Sequence, residues 1–403
     1  MSQSARDPLA VGIKVLPEDI EKLLPVESPA ALSGGITLTA NDSLRTSPYL
    51  NQKIRNICLI LSVMVVFNHA HTLEIDYTFW GGVQAPVIRP EAIRASPVEV
   101  LIEHFFSGAL GRITNPLFFA ASGFLFFYGW KPTLESWVRK LRKRIFTLLI
   151  PYVCWSLIGM GIAYGEFLLR NLYQLTREKT RGALSFGDLF GFLFNMGEPS
   201  QLWFLRTLML IMLGAPILGL VISRLRSYSF LLILAVYFSN LSLPLIYKYS
   251  VCYFAMGATL GYLRSELVIR PNWIRSLLVP LWIMLAVAYT GLSLFSHLEL
   301  TQMFRLLILS GLAGIWVAYD LLPVWMHNRM AVLAPYRFFI YMAFDPLLSI
   351  LQSLYFHWFA PSPVVNLVEY FAMPLVIVLF CSGVAVSLRR RSQRAYDFLT
   401  GGR

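Results

Sequence analysis

Long apolar runs recur along this chain, separated by short polar segments in which the charges gather. A transmembrane α-helix needs about 20 predominantly apolar residues. By that measure the pattern predicts spans at 54–72, 113–130, 145–165, 202–222, 229–247, 250–264, 276–296, 304–322, 336–358 and 367–388. The run 250–264 is short for a crossing, and Pro244 interrupts the run before it. The expectation is an all-α, polytopic bundle of about ten spans filling residues 51–388. Residues 1–50 are polar and broken by Pro17, Pro25, Pro29 and Gly34-Gly35, which reads as a partly disordered cytoplasmic tail. No basic-then-apolar leader opens it. Residues 389–403 read as a basic cytoplasmic tail.

Composition strengthens this picture. Hydrophobic residues make up 57% of the 403 and charged residues 14%, against about 25% charged in soluble domains. Too few polar residues are present to clothe a soluble surface of this size. The formal charge of +12 would suit nucleic acid, but the cations lie in clusters between apolar runs, where membrane orientation signals sit. No nucleic-acid partner is expected. The segment KPTLESWVRKLRKR, residues 131–144, holds six basic residues against one acidic, and the end of the chain holds Arg389, Arg390, Arg391, Arg394 and Arg403 against Asp397. Arg224, Arg226, Arg270 and Arg275 mark two further loops of the same side. The loop 73–112 carries Glu74, Asp76, Glu91, Glu99 and Glu103 against Arg89, Arg94 and Arg112, and the loop 166–201 is mixed. Positive residues stay inside, so both termini are expected in the cytoplasm, in a bacterial inner membrane. Cys58, Cys154, Cys252 and Cys381 each lie within an apolar run, without metal-ligand spacing, and read as buried free thiols.

Polar groups at membrane depth are costly and call for a reason. Asn68 and His69 end the first span, about 20 Å along the helix from Arg55. His69 and His71 cannot share a helix face, so no metal site is expected; His71 and Asp76 match an acyltransferase spacing only by chance. Ser122 and Gly123 interrupt PLFFAASGFLFF, where a small residue suits close helix packing. Arg139, Lys140, Arg142, Lys143 and Arg144 exceed what orientation alone requires, and such a cluster holds phosphates well. Trp203 and Arg206 open the fourth span, as an interfacial anchor and a snorkelling cation or as substrate contacts. Arg337, Tyr341 and Asp345 share one helical stripe; Asp345 sits in an apolar segment and needs a partner.

The stretches VVFNHA, PLFFAASGFLFF, the basic run into LLIPYVCW, LWFLR, YFAMGATLGYL and RFFIYMAFDPLL, in that order over about residues 53 to 350, resemble the membrane acyltransferase-3 family. The nearest likeness is to its polysaccharide and fucose O-acetylase-like branch. The resemblance implies an acyl-CoA-dependent O-acyltransferase, acetyl-CoA being the default donor, acting on a sugar hydroxyl of an exopolysaccharide or lipid-linked glycan. It implies a catalytic His69, a role for Arg55, and phosphate contacts from Arg139, Arg142 and Arg144, which Lys143 adjoins. Tyr341, Ser122 or Arg206 would steady the oxyanion. Two features depart from the family: Arg55 and His69 are 14 residues apart, a longer spacing than is common, and Asp345 stands where many relatives carry histidine. Acyl-CoA would be a cosubstrate, with no tightly bound cofactor, and a polysaccharide-synthesis complex is a conceivable partner. Rival readings are a glycan precursor transporter or flippase, against which the lack of internal repeats speaks, and a non-catalytic membrane sensor or scaffold.

Overall fold

The computed structural model describes residues 47–71, 75–80, 83–88, 90–172, 201–241, 247–264, 272–296 and 298–402. Residues 1–46 of the expected N-terminal tail, most of the loop 166–201, Pro244 and Arg270 therefore lie outside the described residues, and the last residues of that tail, from Pro48, are already helical.

Helix α1 spans Pro48–His69. The Ser47 hydroxyl accepts from the Leu50 amide and Pro48 takes the first helical position, a start signal in which proline loses no hydrogen bond. An antiparallel hairpin follows, β1 (Ile75–Trp80) with β2 (Val83–Ile88), paired from Ile75↔Ile88 to Trp80↔Val83. After the short α2 (Pro90–Ala95), α3 (Pro97–Glu103) runs through a π turn at His104–Ala109 and a 3₁₀ turn at Leu110–Ile113 into α4 (Thr114–Phe127). Helix α5 (Leu134–Arg144) passes through a second π turn, Ile145–Leu149, into α6 (Ile150–Leu172). Pro151 has no N–H to give the carbonyl one turn back, which is the physical occasion for that widened turn. Then come α7 (Leu202–Leu213), α8 (Ala215–Leu225), α9 (Ser229–Phe238), α10 (Lys248–Tyr262), α11 (Asn272–Phe295), α12 (Thr301–Leu321) and α13 (Val324–Leu333). The chain ends with α14 (Arg337–Trp358), α15 (Pro363–Arg391) and α16 (Gln393–Thr400).

Among the described residues, eight helical runs are long and apolar enough to cross a membrane. One of them, Ala215–Phe238, contains Arg226, whose φ of 49° breaks the helix between α8 and α9. Leu379, Ile217 and Val364 each expose more than 70% of their surface. Apolar side chains standing outward on apolar helices belong in hydrocarbon, and the chain is an all-α integral membrane protein.

The tightest contact in the bundle is between α4 and α10, which run parallel. Any Cβ on Gly257 would strike the Ala120 carbonyl, on Gly261 that of Phe124, and on Gly123 that of Phe254. Small residues at four-residue spacing let two backbones touch, as expected for Gly123. Helix α9 returns antiparallel along α10 through Ser229–Thr259 (3.0 Å) and Tyr237–Tyr253 (2.9 Å) hydrogen bonds.

One end of the bundle is cationic. There the buried Lys53 pairs with Asp320 at 2.6 Å, which also accepts from Tyr49 and Arg275. The Asn56 amide donates to the Tyr319 hydroxyl and the His327 carbonyl. Helix α16 folds back beneath the same end: Trp155 donates to the Leu399 carbonyl, Tyr396 donates to the Pro335 carbonyl, and Gly401 lies on Thr147 in the π turn.

Three boundaries differ from expectation. The second span begins at Pro97 instead of 113, because Glu99, Glu103 and Arg112 lower the apolar character of a run that is nonetheless helical; Glu99 and Glu103 are buried. The basic segment 131–144 is mostly helix α5 rather than loop. Helices α9 and α10 have 10 and 15 residues, shorter than a full crossing.

Candidate functional site

His69 is the last residue of α1, and the turn that carries it is held from three sides. The Asn68 amide donates to the Gly111 carbonyl at 2.8 Å, inside the 3₁₀ break of the second span. The Ser107 hydroxyl donates to the Phe67 carbonyl at 3.2 Å. The Gln352 amide donates to the Ala70 carbonyl at 3.2 Å and to Glu369 at 3.1 Å. The last carbonyls of a helix have no partner within it; here side chains from α14 and the π turn supply donors to this region, and they hold the backbone that carries His69.

His69 Nδ1 lies 4.0 Å from an Asp345 carboxylate oxygen, with His69 about one-third exposed and Asp345 mostly covered. The ring also packs on Phe344, 5.2 Å between centroids. Asp345 thus has the partner its position in an apolar segment requires, and it is the candidate histidine. A carboxylate facing Nδ1 favours a proton on that nitrogen and leaves Nε2 as the base.

Pro346 follows Asp345 inside α14 and has no N–H to offer the Met342 carbonyl. The Gln201 amide donates there instead, at 3.1 Å. The Tyr341 hydroxyl returns a bond to the Gln201 carbonyl at 2.9 Å. Tyr341, expected at the oxyanion, is buried and spends its hydroxyl on this clamp, which holds the proline-containing turn next to Asp345.

The remaining candidates fall into two groups away from His69. Arg55 is exposed at the cationic end, with Arg337 and Arg389 as its charged neighbours. Arg389 also lies over the rings of Tyr336 and Tyr396, at 5.8 and 5.9 Å. On α5, Arg139, Arg142 and Lys143 are exposed, and Arg139 makes an exposed 3.8 Å pair with Glu135. Arg144 is half-buried and has no acidic partner among the described residues. Lys140 is different: its ammonium donates to the carbonyls of Phe126 and Tyr128, so it caps the end of α4. The exposed cations and Arg144 suit a polyphosphate, having charge and few competing acids. Among the described residues no group of three or more His, Cys, Asp or Glu could hold a metal ion.

Trp203 lines an aromatic cavity of about 190 Å³ together with Phe119, Tyr237, Tyr253, Arg112 and Arg305. Arg112 is also an electrostatic neighbour of His69, which ties the cavity to the histidine. Arg206, one turn beyond Trp203, is half-buried near Tyr152, and Ser122 is half-buried on α4. Sequence reasoning missed Arg112, Gln201, Arg305 and Gln352. Arg305 could have been found, since it is a lone cation in the apolar run TQMFRLLILS.

A family model described as an acyltransferase domain matches residues 58–388. No curated protein and no solved structure matches the chain. The match covers the bundle from within α1 to within α15, including His69, Asp345 and the basic helix α5. The chain belongs to the acyltransferase-3 family and is a membrane acyltransferase.

Proposed function

We propose that this protein moves an acyl group, acetyl by default, from cytosolic acyl-CoA to a sugar hydroxyl of an exopolysaccharide or lipid-linked glycan, with His69 as general base. The observation that carries the reading is the His69–Asp345 pair at 4.0 Å, anchored by Asn68, Ser107 and Gln352. A hydroxyl is a weak nucleophile at neutral pH and needs a positioned base. In this reading His69 Nε2 takes the hydroxyl proton as the oxygen attacks the thioester carbonyl. The C–S bond then breaks, and the imidazolium returns the proton to the departing thiolate. Asp345 steadies the imidazolium while it exists; hydrogen bonds at such sites often tighten only with substrate bound. Arg112, the cation whose charge is felt at His69, is the candidate to stabilise the oxyanion.

Arg139, Arg142, Lys143 and Arg144 would grip the phosphates of the donor at the cationic end. Ten spans, with α9 and α10 as two short crossings, would put that end and both termini in the cytoplasm of a bacterial inner membrane, where acyl-CoA is made. His69 then lies about 21 Å along α1 from Arg55, toward the acceptor side.

The test is His69→Ala in membranes supplied with labelled acetyl-CoA and glycan. General-base loss is expected to cut transfer by about 10²–10⁴-fold. Transfer at the wild-type rate would end the proposal.

A further inference from the structure

Arg305 is a cation inside the bundle whose guanidinium lies 5.5 Å from the Tyr249 ring and has no acidic partner among the described residues. It is 1% exposed, and its Nη1 donates to the Phe238 carbonyl and the Gln302 amide oxygen, both neutral. Its Nε has no hydrogen-bond partner among the described residues. It lines the aromatic cavity with Arg112, and no acidic residue is among the described residues that line that space. A buried guanidinium with an open donor is expensive unless an anion meets it. The cavity walls add the flat rings of Trp203, Tyr237 and Tyr253.

Helices α4, α9, α10 and α12, which line this cavity with Trp203 of α7, line a second space with Ile54 of α1. It is a groove of about 460 Å³ whose described lining is apolar apart from the indole N–H of Trp316. The two spaces lie along shared faces. On α10, Tyr249 and Tyr253 of the cavity are followed by Met256 and Leu260 of the groove. On α12, Arg305 and Ile308 lead to Leu309, Leu312 and Trp316, and on α9, Tyr237 leads back to Leu234 and Phe230. Residues three and four apart share a helix face, so one stripe on each helix passes from cationic and aromatic to apolar. From Arg305 to Trp316 the stripe is about 16 Å long.

We infer that this channel holds an amphiphile: the phosphate or diphosphate of a polyisoprenyl lipid meets Arg305, and its chain lies in the groove between α4, α9, α10 and α12. The inference rests on the acyltransferase reading in one respect, that the lipid carries the sugar to be acylated. Charge complementarity selects the headgroup, because Arg305 meets only neutral acceptors and the described lining of the cavity holds no acid. The continuous stripes select a tail, because a free anion would leave the groove without purpose. The acceptor is then a lipid-linked glycan, held with its diphosphate fixed and its sugar free to approach His69 past Arg112.

The experiment measures thermal unfolding and binding of the purified full-length protein in detergent. The probes are geranylgeranyl diphosphate, geranylgeraniol, inorganic diphosphate and dioleoylphosphatidylglycerol. Geranylgeranyl diphosphate is expected to raise Tm most, since only a ligand of the folded state stabilises it. Arg305→Gln should weaken its binding by about tenfold or more and leave the alcohol unaffected. Ala313→Trp, which fills the groove without removing a polar contact, should weaken both isoprenoids. If Arg305→Gln does not fold, Arg305→Lys and Ala313→Trp decide. Equal stabilisation by phosphatidylglycerol, binding of inorganic diphosphate as tight as the lipid, or indifference to Ala313→Trp would each overturn the inference. Acyl transfer to a lipid-linked and to a water-soluble glycan, measured in parallel, separates the two proposals. Transfer without isoprenoid binding removes only the lipid site; isoprenoid binding without any transfer removes only the enzymatic reading.

Discussion

Replacing Asp345 by asparagine keeps the shape beside His69 and removes the charge. The expected result is a fall in kcat of about 10–100-fold, worth about 1.4–2.7 kcal/mol, with KM for acyl-CoA little changed; steady-state kinetics in membranes measures the split. Gln201→Leu tests the support behind that pair. The Met342 carbonyl loses the amide that replaces the missing Pro346 donor, at a cost of about 1–3 kcal/mol, read as a lower Tm. His69, Asn68 and Asp345 are legible in the sequence because each is a polar group where hydrocarbon is expected. That Asp345 faces His69 is not legible, since the two lie on helices that pack only in the fold. Gln201 is less legible still. Its acceptor exists because of a proline far along the chain, and no local pattern records that.

At the scale of elements, the bundle depends on a few close approaches. Gly257→Val would drive a side chain into the Ala120 carbonyl. The parallel α4–α10 pair should then fail, with loss of monodisperse protein on size exclusion, whereas Gly383→Val, where a Cβ meets nothing, should be silent. The longer helices are readable from hydropathy. The start of α3 is not, because buried Glu99 and Glu103 look like loop charges until Asn366 is seen donating to Glu99. Nor does the basic segment announce its division of labour. Along α5 the exposed cations Arg139, Arg142 and Lys143 stand outward, while Lys140 turns inward to cap α4. Sequence shows five cations, and only helical phase sorts the structural one from those free to meet a phosphate.

For the whole molecule, the proposed ten-span arrangement makes a sidedness prediction. Single cysteines at Arg142, Arg226 and Arg390 in a cysteine-free background should react with a membrane-impermeant maleimide only from the cytoplasmic side. Cysteines at Leu241 and Ser362 should react only from the other. Labelling of Leu241 from the cytoplasm would reduce α9 and α10 to a pair that does not cross. Helix α16 carries a different consequence. Its backbone bond to Trp155 joins residues 244 positions apart, and its last turn lies on the π turn that leads out of the basic helix. During synthesis the early helices enter the membrane long before residue 399 exists. The segment 144–155 must therefore wait, inserted but without this support, until residue 399 has been synthesised, so the cationic end takes its final shape only after the last long helix has been made.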